Sequence, residues 1–262
     1  MIPLHVSQRC IVSRTTRVID GVERTVAVKK YFRKALRRQA MKTGLTDTEI
    51  VRRELDMMNS VTHSSIVSGL GIIETPTAIE LIMEDGGDAL VSKRTYSTEF
   101  TKRCLADVSS ALSALHANNI VHMDIKPENI VFSGERAKIC DFGSALKIQP
   151  HGKLPKFPQT TPAFSSPELC LMSLNATAVS TMASAKPLDM WALGVTLYSM
   201  VFGRMPFHCE ENDDLQSCYA SIIGDEIVLE ECDYDLQQCI TGLLERDPSR
   251  RLTAAQVHKL IS

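Results

Sequence analysis

No apolar run in the 262-residue sequence approaches the ~18 positions that a membrane-spanning helix needs. The N-terminus lacks the basic-then-apolar pattern of a secretory signal, and Ile at position 2 excludes N-myristoylation. An excess of one charge is missing too. The 29 Lys and Arg stand against 31 Asp and Glu, a net charge of −2, so no broad basic field invites nucleic acid. The eight cysteines include no C-x-x-C pair and no matching His set. That argues against a zinc site and against a disulfide framework, and leaves reduced thiols as the expectation. These absences point to a soluble chain of the cytoplasm, or alternatively the nucleus. No glycine occurs before Gly21. What is present is 44% hydrophobic residues, enough for a substantial core in one large or two small domains.

The chemistry is concentrated in His122-Met123-Asp124-Ile125-Lys126-Pro127-Glu128-Asn129, followed by Asp141-Phe142-Gly143. These runs supply a carboxylate base, a lysine, an amide and a second carboxylate on neighbouring turns. Such a set suffices to move a phosphoryl group from a Mg²⁺-bound nucleotide to a hydroxyl. Asp124 would accept or orient the hydroxyl proton, and Lys126 would neutralise charge on the transferring group. Asn129 and Asp141 offer the hard oxygen ligands that Mg²⁺ prefers.

In these residues the chain resembles the protein kinase superfamily, and its Ser/Thr branch in the Lys-Pro-x-Asn that follows Asp124. The resemblance implies an α+β, two-lobed fold: a small antiparallel β lobe with one helix, and a larger, mainly helical lobe. It makes residues 1–262 a single kinase domain, with the first lobe at 1–84 and the second at 85–262. ATP and Mg²⁺ are the implied cofactors.

Cys10 to Ile19 and Val22 to Val28 read as two strands joined at Asp20-Gly21, a hairpin signal because both turn positions favour positive φ. The second ends in Val26-Ala27-Val28-Lys29, which looks like the kinase strand whose lysine contacts the α- and β-phosphates. Thr46 to Val61 reads as a helix opened by a Thr46/Glu49 capping box, with an apolar stripe of Ile50, Val51, Leu55, Met58 and Val61. Glu54 lies at the stripe's edge, where an unpaired carboxylate is costly. The resemblance makes it the partner of Lys29, against the plainer reading of an exposed helix glutamate. The family's three phosphate-loop glycines fall here on His5, Ser7 and Cys10, whose side chains impede backbone approach to phosphates. The chain also starts too late for a whole first strand, so this nucleotide lid is expected to be truncated or degenerate. The basic run Lys30, Arg33, Lys34, Arg37, Arg38 and Lys42 reads as a solvated face, with docking of an acidic partner as the alternative.

Ala78 to Met83 reads as a strand leading into Glu84-Asp85-Gly86-Gly87, which resembles the inter-lobe hinge. Met83 is then the gatekeeper, and backbone groups near Glu84 and Gly86 read the adenine. Phe100, Cys104, Val108, Leu112 and Leu115 form a core stripe, and His122 is expected to pack beneath Phe142. Most kinases carry Arg where this chain has Met123, and the usual phosphoacceptor aligns with Pro158, so no activation-segment phosphate is expected to be needed. Thr161 to Phe164 resembles the substrate-positioning loop. Glu168 is expected to pair with Arg251 by resemblance alone. Ser173 to Ala185 reads as a loop, and Leu188 to Phe202 as a buried helix ended by Gly203. Within that helix, the resemblance has Asp189 accept backbone hydrogen bonds from the catalytic loop. Leu215 to Ile223 and Leu236 to Leu244 read as further helices.

Lys29 to Ala40, Thr161 to Phe164 and Lys186 to Phe207 look most like the calmodulin-dependent protein kinase kinases, which brings in calmodulin by resemblance only. Against that, the Arg/Pro-rich insert is missing and Glu128 replaces the usual Ser. The expected function is transfer of the ATP γ-phosphoryl to protein Ser or Thr hydroxyls. Protein substrates are the expected partners, with neither nucleic acid nor membrane. The competing reading is a pseudokinase, favoured by the missing glycines and opposed by retention of Lys29, Glu54, Asp124, Lys126, Asn129 and Asp141.

Overall fold

Asp20 and Gly21 both adopt left-handed backbone, φ 50° and 76°, and turn strand β2 (Cys10–Ile19) into β3 (Val22–Phe32) with Ile19 opposite Val22. The structure, a computed structural model, describes residues 2–7, 10–149, 160–174, 185–209 and 213–261. It divides into a smaller unit, Met1–Asp88 with Val131–Gly143, and a larger one, Ala89–Ile130 with Ser144–Ser262.

The smaller unit is built on a five-stranded sheet in the order β1-β2-β3-β5-β4, every neighbouring pair antiparallel. Its first strand, β1 (Ile2–Val6), pairs with β2 although the sequence reading expects no whole strand there. The link is closed by Ser7, whose amide and hydroxyl both donate to the Cys10 carbonyl, at 3.0 and 3.1 Å. The Cys10 amide donates back to the Ser7 hydroxyl at 3.1 Å.

The basic run after β3 is itself a helix, α1 (Arg33–Thr43), in addition to the one helix expected for this lobe. It buries Leu36 and stops at Gly44, φ 72°. Arg33 pairs with Glu74 (2.9 Å) and Asp47 (3.8 Å), while Lys34 and Arg37 are exposed. Helix α2 (Asp47–Met58) begins with the expected capping box, and it buries Val51, Glu54 and Met58. Strands β4 (Gly69–Glu74) and β5 (Ala78–Glu84) complete the sheet. Beyond β5, the two-residue strand β6 spans Asp88–Ala89.

The larger unit opens with α3 (Thr98–Ala117), which buries Cys104, Val108, Leu112 and Leu115. Strand β7 (Ile120–Val121) leads into the loop that holds Asp124; β8 (Ile130–Ser133) and β9 (Arg136–Ile139) follow it in sequence, and from Val131 to Gly143 the chain belongs to the smaller unit. The short β10 (Leu146–Lys147) pairs with β7. Helix α4 (Pro167–Leu174) covers the start of the segment read as a loop, and 175–184 lie outside the described residues. Helix α5 (Lys186–Phe202) is buried on every side from Leu188 to Met200 and ends at Gly203, φ 66°. Burial on every side makes it a core helix. Gly194 permits its closest packing: a Cβ there would stand 2.8 Å from atoms of Leu243 and Leu244. Helices α6 (Leu215–Gly224), α7 (Tyr234–Leu243) and α8 (Ala254–Ile261) complete the unit. No described helix is long and apolar enough to cross a membrane.

One expectation about the cysteines is overturned. Cys209 and Cys218 form a disulfide, their Cα atoms 4.6 Å apart; the other six are free thiols. Nine residues of separation carry no sequence signal for a bond that depends on how closely the two Cα atoms approach.

Candidate active site

Strand pleating places Lys29 and Tyr31 on the same face of β3, because successive side chains alternate. Both are buried, as is Glu54 of α2. Lys29 Nζ donates to Glu54 Oε1 at 2.9 Å and to Asp141 Oδ1 at 2.8 Å. Glu54 is therefore a buried ion-pair partner and not the exposed helix residue of the plainer reading. Tyr31, which the sequence reading passed over, donates its hydroxyl to Glu54 Oε2. Burial opposes the charge on Lys29, yet Asp141 and Glu54 more than offset it and hold its pKa well above the ordinary lysine value. Burial and the neighbouring Glu54 push the Tyr31 phenol well above its usual value, so it is a proton donor here. Burial also raises the Glu54 carboxyl, against the pull of Lys29. Asp141 keeps a side chain 41% exposed and a left-handed backbone, φ 61°.

The hinge candidates belong to the same unit. Glu84 spends its carboxylate on the Ser68 amide (3.0 Å) and on Lys138 Nζ (2.9 Å). Its own amide donates to the Ser68 carbonyl at 2.9 Å. Gly86 sits so close to β8 that a Cβ would come within 2.4 Å of Val131 Cγ2.

In the larger unit the loop expected to be catalytic is arranged around Asp124. Its Oδ1 accepts from the Thr161 amide at 3.1 Å and the Thr161 hydroxyl at 2.8 Å. Its Oδ2 faces Lys126 Nζ at 2.8 Å and accepts from Asn129 Nδ2 at 3.0 Å. Lys126 also donates to the Thr161 hydroxyl at 2.7 Å. Asn129 Nδ2 donates to the Asp124 carbonyl at 2.8 Å, so both its N–H groups are committed and Oδ1 is the atom left for a cation. Thr161 was read as part of a substrate loop; its grip on Asp124 depends on a 37-residue separation that no local pattern reveals.

Beneath the loop lies Asp189 of α5, fully buried. It accepts from the amides of His122 (2.8 Å) and Met123 (2.7 Å) and from His116 Nε2 (2.9 Å). Burial works against its charge, but the His116 hydrogen bond and its neighbours hold the carboxyl below the ordinary carboxylate range. The amide contacts are those that the resemblance implied; His116 was missed. Met123 has left-handed backbone, φ 70°, and its side chain is buried with Val121, Leu169, Met172, Ala185 and Leu188. Leu146 and Ile148, a few residues past Gly143, pack against this cluster. Arg251 forms a double contact with Glu168, 2.7 and 3.0 Å, as the resemblance implied. His122 and Phe142 are both buried, and Pro158 lies outside the described residues.

Thus Lys29, Glu54 and Asp141 come together in one unit, and Asp124, Lys126 and Asn129 in the other. Among the described residues no three His, Cys, Asp or Glu side chains gather into a metal-holding cluster.

The protein kinase domain family matches residues 12–260. The serine/threonine-protein kinase GRIK1 of Arabidopsis thaliana is 30% identical over 245 residues, covering 88% of this chain and 58% of that protein. Calcium/calmodulin-dependent protein kinase type IV of Mus musculus is 31% identical over 224 residues, covering 80% and 45%. The SNF-related serine/threonine-protein kinase of Homo sapiens is 32% identical over 218 residues, covering 78% and 26%. The chain spans little more than half the length of even the plant relative.

Proposed function

The chain belongs to the protein kinase family, in the company of Ser/Thr kinases, and on that footing we propose that it transfers the γ-phosphoryl of ATP to Ser and Thr hydroxyls of proteins without needing a phosphate on its own activation segment. The observation that carries this reading is the trio of buried Lys29, buried Glu54 and part-exposed Asp141. A lysine held between two carboxylates is expensive to bury and contributes little to stability by itself, so chemistry is the reason to keep it.

In the proposed mechanism Lys29 receives the α- and β-phosphates of the nucleotide. Asp124, its carboxylate aimed by Thr161 and Asn129, orients the acceptor hydroxyl and draws off its proton. Lys126, between Asp124 and Thr161, counters charge on the transferring group. Asp141 in the smaller unit and Asn129 Oδ1 in the larger are the groups that would hold Mg²⁺, which would supply positive charge to offset that of the phosphates. Both are hard oxygen ligands of the kind Mg²⁺ prefers.

Independence from an activating phosphate is supported by Met123. An arginine at this position would need an anion; Met instead joins the catalytic loop to α4, α5 and the segment around Leu146 through apolar packing. Calmodulin enters only by likeness to the type IV kinase, whose name carries it.

Phosphatase-treated protein should phosphorylate a generic basic protein in Mg²⁺ and ATP at an undiminished rate, and Asp124→Asn should abolish turnover. Loss of most activity on dephosphorylation, with a phosphosite mapped between Asp141 and Glu168, would refute the regulatory half. The second reading, a nucleotide-binding pseudokinase, is favoured by Ser7 and Cys10, bonded to each other where glycines are expected. It predicts Mg²⁺- and nucleotide-dependent thermal stabilisation with no turnover.

A further inference from the structure

Glu54 has two carboxylate oxygens, and β3 reaches both of them. Oε1 takes the Lys29 ammonium and Oε2 takes the Tyr31 hydroxyl. The two donors are two residues apart on one face of the strand, about 6.6 Å along its axis. A carboxylate gripped at both oxygens from two points of a rigid strand can neither rotate nor slide.

Lys29 alone would not achieve this. Its ammonium rides on a flexible four-carbon stem and can follow a moving partner. It is also drawn to a second carboxylate, Asp141, at a distance as short as that to Glu54. Were Glu54 free to swing, α2 could drift while Lys29 settled on Asp141. A phenol on two torsions is stiff, and the Tyr31 ring lies 5.1 Å from the Lys29 ammonium, which adds cation–π attraction to the lysine's placement. All three side chains are buried, so water does not compete for these bonds.

We propose that Tyr31 is a positioning residue: by occupying Glu54 Oε2 it locks α2 against β3, so that Lys29 is presented to nucleotide without a partner protein or ligand pressing on the helix. The kinetic consequence rests on the phosphoryl-transfer reading; the lock itself does not.

The test is Tyr31→Phe, which keeps the ring and its burial and removes one oxygen. Amide hydrogen exchange across residues 47–58 should quicken in the variant while β4 and β5 stay as protected as in the wild type. Affinity for Mg²⁺-ATP and kcat/KM should fall together by about ten- to a hundredfold, the effect of losing a hydrogen bond to a charged group. In a Glu54→Ala background the same substitution should change nucleotide affinity by less than about twofold, because there is nothing left to lock. Wild-type exchange in α2 together with wild-type affinity would overturn the proposal. So would an equal loss of affinity in both backgrounds, which would mean that Tyr31 acts through packing and not through Glu54. Should the wild type prove unable to turn over substrate, the proposed function falls, and the exchange of α2 still decides the lock.

Discussion

Replacing Met123 with Ala and with Arg probes how the catalytic loop is held. Met123 is 4% exposed, within a cluster of Val121, Leu169, Met172, Ala185 and Leu188. Truncation to Ala removes its transfer energy and leaves a cavity, a loss of about 2–5 kcal/mol. At about 2–4 °C per kcal/mol for a domain of this size, the melting point should drop by roughly 4–20 °C. Arg has a longer stem and can turn its head toward water, which softens the penalty. A guanidinium kept in this apolar setting still costs several kcal/mol, so the Arg variant should be no more stable than the Ala variant. Urea titrations of all three proteins would show the midpoint fall with the slope unchanged. Turnover, measured well below each melting point on dephosphorylated protein, should fall in both variants because the loop loses its anchor. An Arg variant as stable as the wild type within about 0.5 kcal/mol, and equally active without phosphate, would refute the reasoning.

Glu168→Ala should cost about 3–5 kcal/mol in urea, since it strands the buried guanidinium of Arg251; Arg251→Ala should cost no less. Asp189 is held below its ordinary pKa by His116 and the loop amides once burial is overcome, so its contribution is present above the unfolded value of about 3.9 and is lost as pH falls through the lower folded value. The stability gap between wild type and Asp189→Asn should accordingly be flat near neutrality and narrow only below about pH 4. Reducing the Cys209–Cys218 bond with a thiol should lower stability by about 2–3 kcal/mol, as expected for a short closed loop, and Cys218→Ser should abolish that sensitivity.

Sequence patterns revealed features whose cause is local. Asp20-Gly21 announces its turn because few residue pairs accept two positive φ values, and Thr46 with Glu49 announces a helix start because the two side chains cap each other. The unbroken apolar run of α5 marks a core helix, and it made the lone Asp189 conspicuous. The motifs around Asp124 and Asp141 were legible because their chemistry needs fixed residue types at fixed spacing. Helix α1 stayed hidden: cations dominate it, and Leu36 is the buried anchor among them, too sparse a stripe to show periodicity. Strand β1 was missed because expectation centred on glycines, whereas Ser7 closes the turn with its own hydroxyl. Tyr31 and His116, and the contact of Thr161 with Asp124, escaped notice for a different reason. Each acts on a residue 23 to 73 positions away, and only the packed structure brings such pairs within reach.

The amides of His122 and Met123 are gripped by a carboxylate on α5, while the Met123 side chain packs elsewhere. The shape of the loop and its grip on the helical core thus reside in different atoms. A substitution at position 123 disturbs the packing and leaves the two amide anchors in place, so the loop can loosen from its surroundings while keeping its fold.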